Sequence, residues 1–295
     1  MNNYHTHTYR CGHAKGSEEE MVKSAIELGL SQLGFSEHVP LPHYRKFLLK
    51  AFLPSCHCLL DVCAWMKTMI LNGPNMRMTY KMRKVHEKIV QKLKSQYQSQ
   101  IEIYQGYECE YFKPYLSYYH SLLQSGEVDY LILGNHFDKY PIHNCYYGKK
   151  QISKKMIIDY RNDIIEAIHT GLFSYIAHPD LFLIGVDEFD EVCQKVSYDI
   201  CIEAKKYHIP LEINAGGIRR GLRKMSGEFV YPYTNSFFFK IAAEVGNDII
   251  IGIDAHQPQD FNDEIIIKLR EFIQENHLHV IESIELNKKS LELEP

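Results

Sequence analysis

Seven short runs of β-forming residues alternate with helical stretches along this 295-residue chain, and that alternation restricts its fold more than any other feature. The runs fall at 3–6, 32–36, 101–108, 128–133, 174–177, 209–214 and 249–254. After the first, Ser17 and Glu20 read as a capping box opening a helix that carries Met21, Ala25 and Leu28 and stops at Gly29. Further helices are predicted over 79–97, 154–170, 187–207, 234–245 and 262–275; in the first of these Met82, Val85, Ile89 and Leu93 form a core-facing stripe. Strands joined through helices pair in parallel, and seven of them favour a closed α/β barrel over an open sheet. Residues 40–75 contain four prolines and little periodicity. They are expected to form an elaborated loop over one end of a single domain spanning 1–295.

Composition narrows the functional classes. A net charge of −4 argues against holding nucleic acid by bulk electrostatics. The apolar runs, such as 248–253, are too short to cross a membrane, and no apolar leader precedes His5, so a cytoplasmic protein is expected. Eight scattered cysteines without a C-x-x-C pair fit reduced thiols. Cys56-His57-Cys58 lacks a second pair at zinc-finger spacing and reads as ordinary sequence.

The chemistry gathers where the predicted strands end. The opening MNNYHTHTYRCGH sets His5 and His7 two residues apart, on one side of an extended strand. The later ends give Ser36-Glu-His38, Glu108-Cys-Glu110, Asn135-His136, Ala177-His178-Pro-Asp180, Glu212-Ile-Asn214 and Asp254-Ala-His256. One such histidine is ordinarily structural. Histidine or carboxylate at nearly every strand end is not, because parallel barrels build their sites at that rim.

The stretches YHTHTYRCGHAKGSEEEMVKSAIELGL, LGFSEHVPLP, GYECEY, AHPDL, LEINAGG and IGIDAH resemble the polymerase-and-histidinol-phosphatase (PHP) metallohydrolases, on their histidinol-phosphate phosphatase branch. The resemblance covers essentially the whole chain. It implies an α/β fold, a distorted (β/α)7 TIM-like barrel with its metal site at the C-terminal ends of the strands. It implies three metal ions, zinc, manganese or iron. The first would be held by His5, His7, Glu108 and Asp254, with Glu108 bridging to a second on His136 and His178, and a third on His13, His38 and His256. Glu108, Asp254 and His256 carry the catalytic assignment.

Such ions lower the pKa of water from ~15.7 towards ~7, so hydrolysis of a phosphate ester needs no protein nucleophile. Relatives place a phosphate-contacting arginine where Arg219 and Arg220 stand, and which of the two serves is left open. The basic residue that some relatives carry after the H-P-D turn is replaced by Leu181-Phe-Leu-Ile-Gly185, so Lys15 or Arg10 is considered in its place. Glu37, Glu110 and loop aromatics are candidates for recognising imidazole and amine, and His43 is noted beside the site.

The expected activity is metal-dependent hydrolysis of L-histidinol phosphate in histidine biosynthesis, with a small phosphate ester as partner. The alternatives are a related phosphoesterase acting on nucleotides or oligonucleotide ends, and a non-catalytic metal-binding barrel.

Overall fold

The computed structural model describes residues 1–70 and 76–286. Part of the expected 40–75 loop and the terminal 291–295 lie outside the described residues. Nine strands are present among those described: β1 (Asn2–Asn3), β2 (Gln32–His38), β3 (Glu102–Cys109), β4 (Tyr130–Leu133), β5 (Leu211–Asn214), β6 (Arg223–Met225), β7 (Glu228–Val230), β8 (Asp248–Gly252) and β9 (His279–Val280).

The main sheet is parallel and curled. β1 lies beside β2, β2 pairs with β3 from Gln32↔Glu102 to His38↔Glu108, and β3 pairs with β4. Single bridges, Leu133↔Ile176 and Ile176↔Leu211, carry the pairing on to β5, which pairs with β8. A bridge from Thr6 to Ala255 links the far edge back to the first segment. Six of the seven expected runs therefore contain strand, and the run at 174–177 is reduced to the Ile176 bridge. β9 adds to β8, and β6 and β7 form a separate antiparallel hairpin.

The helices between the strands follow the apolar periodicity. Ser17 caps Glu18–Glu27 with the expected reciprocal box, and Gly29 follows with a positive φ of 77°. Arg83–Tyr97, Lys154–His169, Glu191–Lys206, Ser236–Val245 and Asp263–Glu275 stand close to their predicted limits. Two features go beyond what the sequence is read to hold. Among the described residues of the segment expected as an elaborated loop, Tyr44–Lys50, Phe52–Ser55 and Leu59–Ile70 are helical. Tyr44–Lys50 and Phe52–Ser55 complete too few turns to show a period. Leu116–Gln124 is a further helix, burying Tyr119 and Leu122 in a segment whose polar and aromatic residues obscured its face.

The space inside the curled sheet is filled largely by tyrosine. Tyr4, Tyr130 and Tyr175 pack there with Ile132, Ala177, Ile250 and Ile284. The Tyr130 hydroxyl donates to the backbone carbonyls of Tyr4 (2.7 Å) and Phe35 (3.1 Å), so the ring crosses the interior and its polar end is satisfied. Gly106 on β3 permits this, because a Cβ there would lie 2.4 Å from Tyr130 Cζ. Gly106→Ala is expected to destabilise the fold by about 3 kcal/mol through overpacking. Urea unfolding monitored by circular dichroism checks this, and an unchanged midpoint would count against the packing described.

Candidate metal centre

The strand ends converge on Glu108. Its Oε2 faces His5 Nε2 (3.5 Å), His7 Nε2 (3.4 Å) and His38 Nδ1 (3.1 Å). Its Oε1 faces His178 Nε2 (2.9 Å) and His136 Nε2 (3.5 Å). Asp254 Oδ1 stands 3.5 Å from both His5 Nε2 and His7 Nε2. His13 Nε2 and His256 Nε2 approach to 2.9 Å, while His38 leans towards Glu108, its ring 5.5 Å from that of His13. All nine residues proposed from the sequence as metal ligands thus share one region. The set of His13, His38 and His256 is the least tightly drawn.

Orientation is imposed from behind. Glu212 Oε1 holds His5 Nδ1 at 2.8 Å, which places the proton there and turns the Nε2 lone pair inward. Glu212 Oε2 accepts from the His178 backbone N–H (2.9 Å) and from Asn214 Nδ2 (2.7 Å). His256 Nδ1 faces the Asp254 carbonyl at 3.0 Å, again leaving Nε2 for the site. Asn3 joins the first segment to the last, its Oδ1 accepting from Ile253 N and its Nδ2 donating to Thr6 Oγ1, both at 2.8 Å. Two of the converging residues have left-handed backbones, His178 at φ 32° and Asp254 at φ 50°. Such geometry is sparsely populated and persists where surrounding contacts enforce it.

The electrostatics favour bound cations. Burial alone would raise the carboxyl pKa of Glu108, yet His136, His38 and His5 hold it well below the usual range. Asp254 behaves alike, with His5 and His256 outweighing burial. Burial pushes imidazoles down, and it leaves His13 near about 4 and His136 near about 3, neutral and able to donate lone pairs. At His5 and His7 the carboxylates outweigh burial, holding His5 well above its ordinary value and lifting His7 to about 9.

Two ionised carboxylates in a buried nest of imidazoles demand positive charge, and metal ions satisfy that demand with this donor set. The fit is good: ligand atoms of His5, His7 and Asp254 lie within 4.8 Å of one another, as do those of His5, Glu108 and His178 and those of His7, His38 and Glu108. Two imidazole nitrogens at 2.9 Å likewise need a proton or a cation between them.

Above this cluster opens a cavity of about 780 Å³, whose wall includes Lys15, Met76, Tyr146, Arg219, Arg220 and Tyr233. The two arginines differ. Arg219 is committed to the backbone, donating to the carbonyls of Ile253 (2.8 Å) and Asp254 (2.6 Å). Arg220 reaches over Tyr233, its guanidinium carbon 5.5 Å from the ring centre.

Several other expectations are corrected. Arg10 is paired with buried Glu18, which also holds His86, so it does not reach the cavity. Glu110 is clamped by Arg77, and Glu37 accepts from Thr8; neither lines the cavity. His43 is exposed outside it. Among the described residues of 40–70 none lines the cavity, which only Met76 approaches from that side.

Residues 3–216 match the PHP domain. The chain belongs to the PHP family. Within that family, a protein of Deinococcus radiodurans named "Probable histidinol-phosphatase" is 24% identical over 261 residues, which cover 86% of this chain and 85% of that protein. The hisK product of Listeria monocytogenes superposes with a TM-score of 0.66 at 20% identity, over 90% of this chain and 99% of that one. The Lactococcus lactis histidinol phosphate phosphatase, solved with zinc, L-histidinol and phosphate, gives 0.66 at 15% identity over 99% and 98%. At these identities the two structures establish a shared fold.

Glu212 was named from the sequence at a strand end but given no role there. Its role depends on His5 and His178 meeting it from other strands. Glu212→Gln sets an amide N–H against a donor on one side or the other. It is expected to weaken metal binding by about 10–100-fold. Competition of the purified variant against a chromophoric chelator reads this directly, and wild-type affinity would refute the role.

Proposed function

We propose that this PHP protein is a cytoplasmic, single-domain metal-dependent phosphatase that hydrolyses L-histidinol phosphate to L-histidinol and phosphate. The observation that carries the proposal is the convergence of nine ligand-type residues around Glu108 beneath a cavity bearing Arg220. The names of the Deinococcus and Lactococcus relatives supply the substrate, and the zinc of the latter favours zinc here. The parallel pairings, with Thr6 beside Ala255, support reading the sheet as the distorted (β/α)7 barrel.

His5, His7, Glu108 and Asp254 would hold a first ion, Glu108, His136 and His178 a second, and His13, His38 and His256 a third. Bound there, such ions supply the Lewis acidity that lowers the pKa of water and neutralises phosphate charge. The chain's own residues do the rest. Glu108 presents one oxygen to each half of the ligand set, so Glu108, Asp254 and His256 are assigned to the catalytic centre. Arg219 fixes the backbone at Asp254. Arg220 binds phosphoryl oxygens, since a phosphate monoester brings roughly −1.5 to −2 charges and a planar guanidinium can meet two oxygens together. Lys15, on the same wall, adds positive charge.

Turnover of histidinol phosphate, nucleoside monophosphates and single-stranded oligonucleotides by the zinc-, manganese- or iron-loaded protein tests this reading. Histidinol phosphate is expected to lead in kcat/KM by on the order of a hundredfold. Preference for a nucleotide or an oligonucleotide end would replace it with the other phosphoesterase reading.

The arginines should separate. Arg220→Ala is expected to lower kcat/KM by about a hundredfold with metal content unchanged, and lysine should not rescue it. Arg219→Ala should instead lower metal content by loosening Asp254. Steady-state kinetics beside elemental analysis check the pair, and wild-type kinetics in both single variants would move the phosphate contact elsewhere.

A further inference from the structure

A polar group in the cavity wall has no role in the scheme above, and it lies near the Asp254 carboxylate. Tyr233 lines the cavity and is 5% exposed. Its ring stands edge-on to His178, with centroids 6.2 Å apart at 82°. The position of its hydroxyl is marked by Gly216. The point where a Cβ of that residue would sit lies 2.6 Å from the Tyr233 hydroxyl, 2.8 Å from Asn214 Oδ1 and 3.0 Å from Asp254 Oδ2. The phenol therefore ends at the border of the ligand cluster, on the side where Arg220 reaches over it.

The support beneath Tyr233 is rigid. Thr234 is left-handed at φ 57°, and its hydroxyl both accepts from Asn214 N (2.8 Å) and donates to Asn214 O (2.7 Å). Asn235 N donates to buried Asp180 Oδ2 (2.7 Å). Gly217 packs beneath, where a Cβ would lie 2.1 Å from the Tyr233 carbonyl oxygen. A side chain held from both following residues and from below is pre-organised, so little ordering remains to be done when a ligand arrives.

From this placement we propose that Tyr233 is a further substrate-contacting residue, whose hydroxyl donates a hydrogen bond to a phosphoryl oxygen of a dianionic phosphomonoester beside the Arg220 guanidinium. The chemistry agrees. Arg220 lies over the Tyr233 ring, and a guanidinium carries donors and no acceptor, so it does not draw the phenol proton and leaves it for an oxygen in the cavity. Arginine and tyrosine together give donors of fixed direction where the basic residue expected after the H-P-D turn is replaced by Leu181.

This inference rests on the phosphomonoesterase reading, and the test separates the two. Tyr233→Phe removes only the hydroxyl and keeps the ring against His178. Inorganic phosphate is used as the inhibitor of the metal-loaded protein, with histidinol phosphate as substrate. The expected result is a phosphate inhibition constant and a kcat/KM each worse by about tenfold, with metal content and melting temperature as in the wild type. Wild-type phosphate inhibition in the variant overturns the proposal. So does a loss of metal from Tyr233→Phe, which would assign the hydroxyl to holding Asp254. If the wild-type protein neither turns over phosphomonoesters nor is inhibited by phosphate, the phosphomonoesterase reading itself fails, and this contact with it.

Discussion

The charge on Glu108 governs the rest of the centre. It is a fully buried carboxylate with five imidazoles within 3.5 Å, and a carboxylate so placed is stable only with positive charge beside it. That requirement makes the histidines a metal-type ligand set and not packing residues. It also explains their opposed tendencies. His5 and His7, which face both Glu108 and Asp254, are driven towards the protonated form, while burial keeps His13 and His136 neutral, with neighbouring imidazoles adding to it.

Such a concentration of charge needs a backbone that does not relax around it. Gly134 and Gly252 leave room for carboxylates: a Cβ would fall 1.9 Å from Glu108 Oε1 at the first and 1.8 Å from Glu212 Oε1 at the second. Glu212 then ties His5 to His178, and Asn3 ties the first segment to the last. Below, Tyr130 fills the interior and spans from Tyr4 to Phe35. The left-handed backbones at His178 and Asp254 persist because these contacts over-determine them. The polar rim and the tyrosine-filled interior are one construction, since Tyr4 precedes His5 and Ala177 precedes His178 on segments that pack below the rim.

The helical segment 44–70 is set apart from this construction. Arg77, just after the undescribed residues, is buried and makes a bidentate pair with Glu110, behind His136, and also donates to the Val39 carbonyl next to His38. The segment thus meets the site through its end, at Met76 and Arg77, and its remaining described residues pack outside the cavity. Glu110 serves that anchorage, which is why it is not free to read a substrate.

What the sequence determined by itself is the alternation of strand and helix, the capping box at Ser17, and the placing of histidine or carboxylate at successive strand ends. These are local patterns, with periods and spacings that survive in one dimension. Only the tertiary structure distinguished Arg219 from Arg220: the first, ending a short helix, donates to the Ile253 and Asp254 carbonyls, and the second, one residue past it, reaches over Tyr233. It alone withdrew Arg10, Glu37 and Glu110, claimed by Glu18, Thr8 and Arg77, and showed Glu212 lying between His5 and His178. It also showed helices at 44–50, 52–55 and 59–70 inside the segment expected as an elaborated loop. A ligand is named by its residue type and its place at a strand end. A role is set by the atoms that converge on it, and those come from strands and loops the linear order does not bring together.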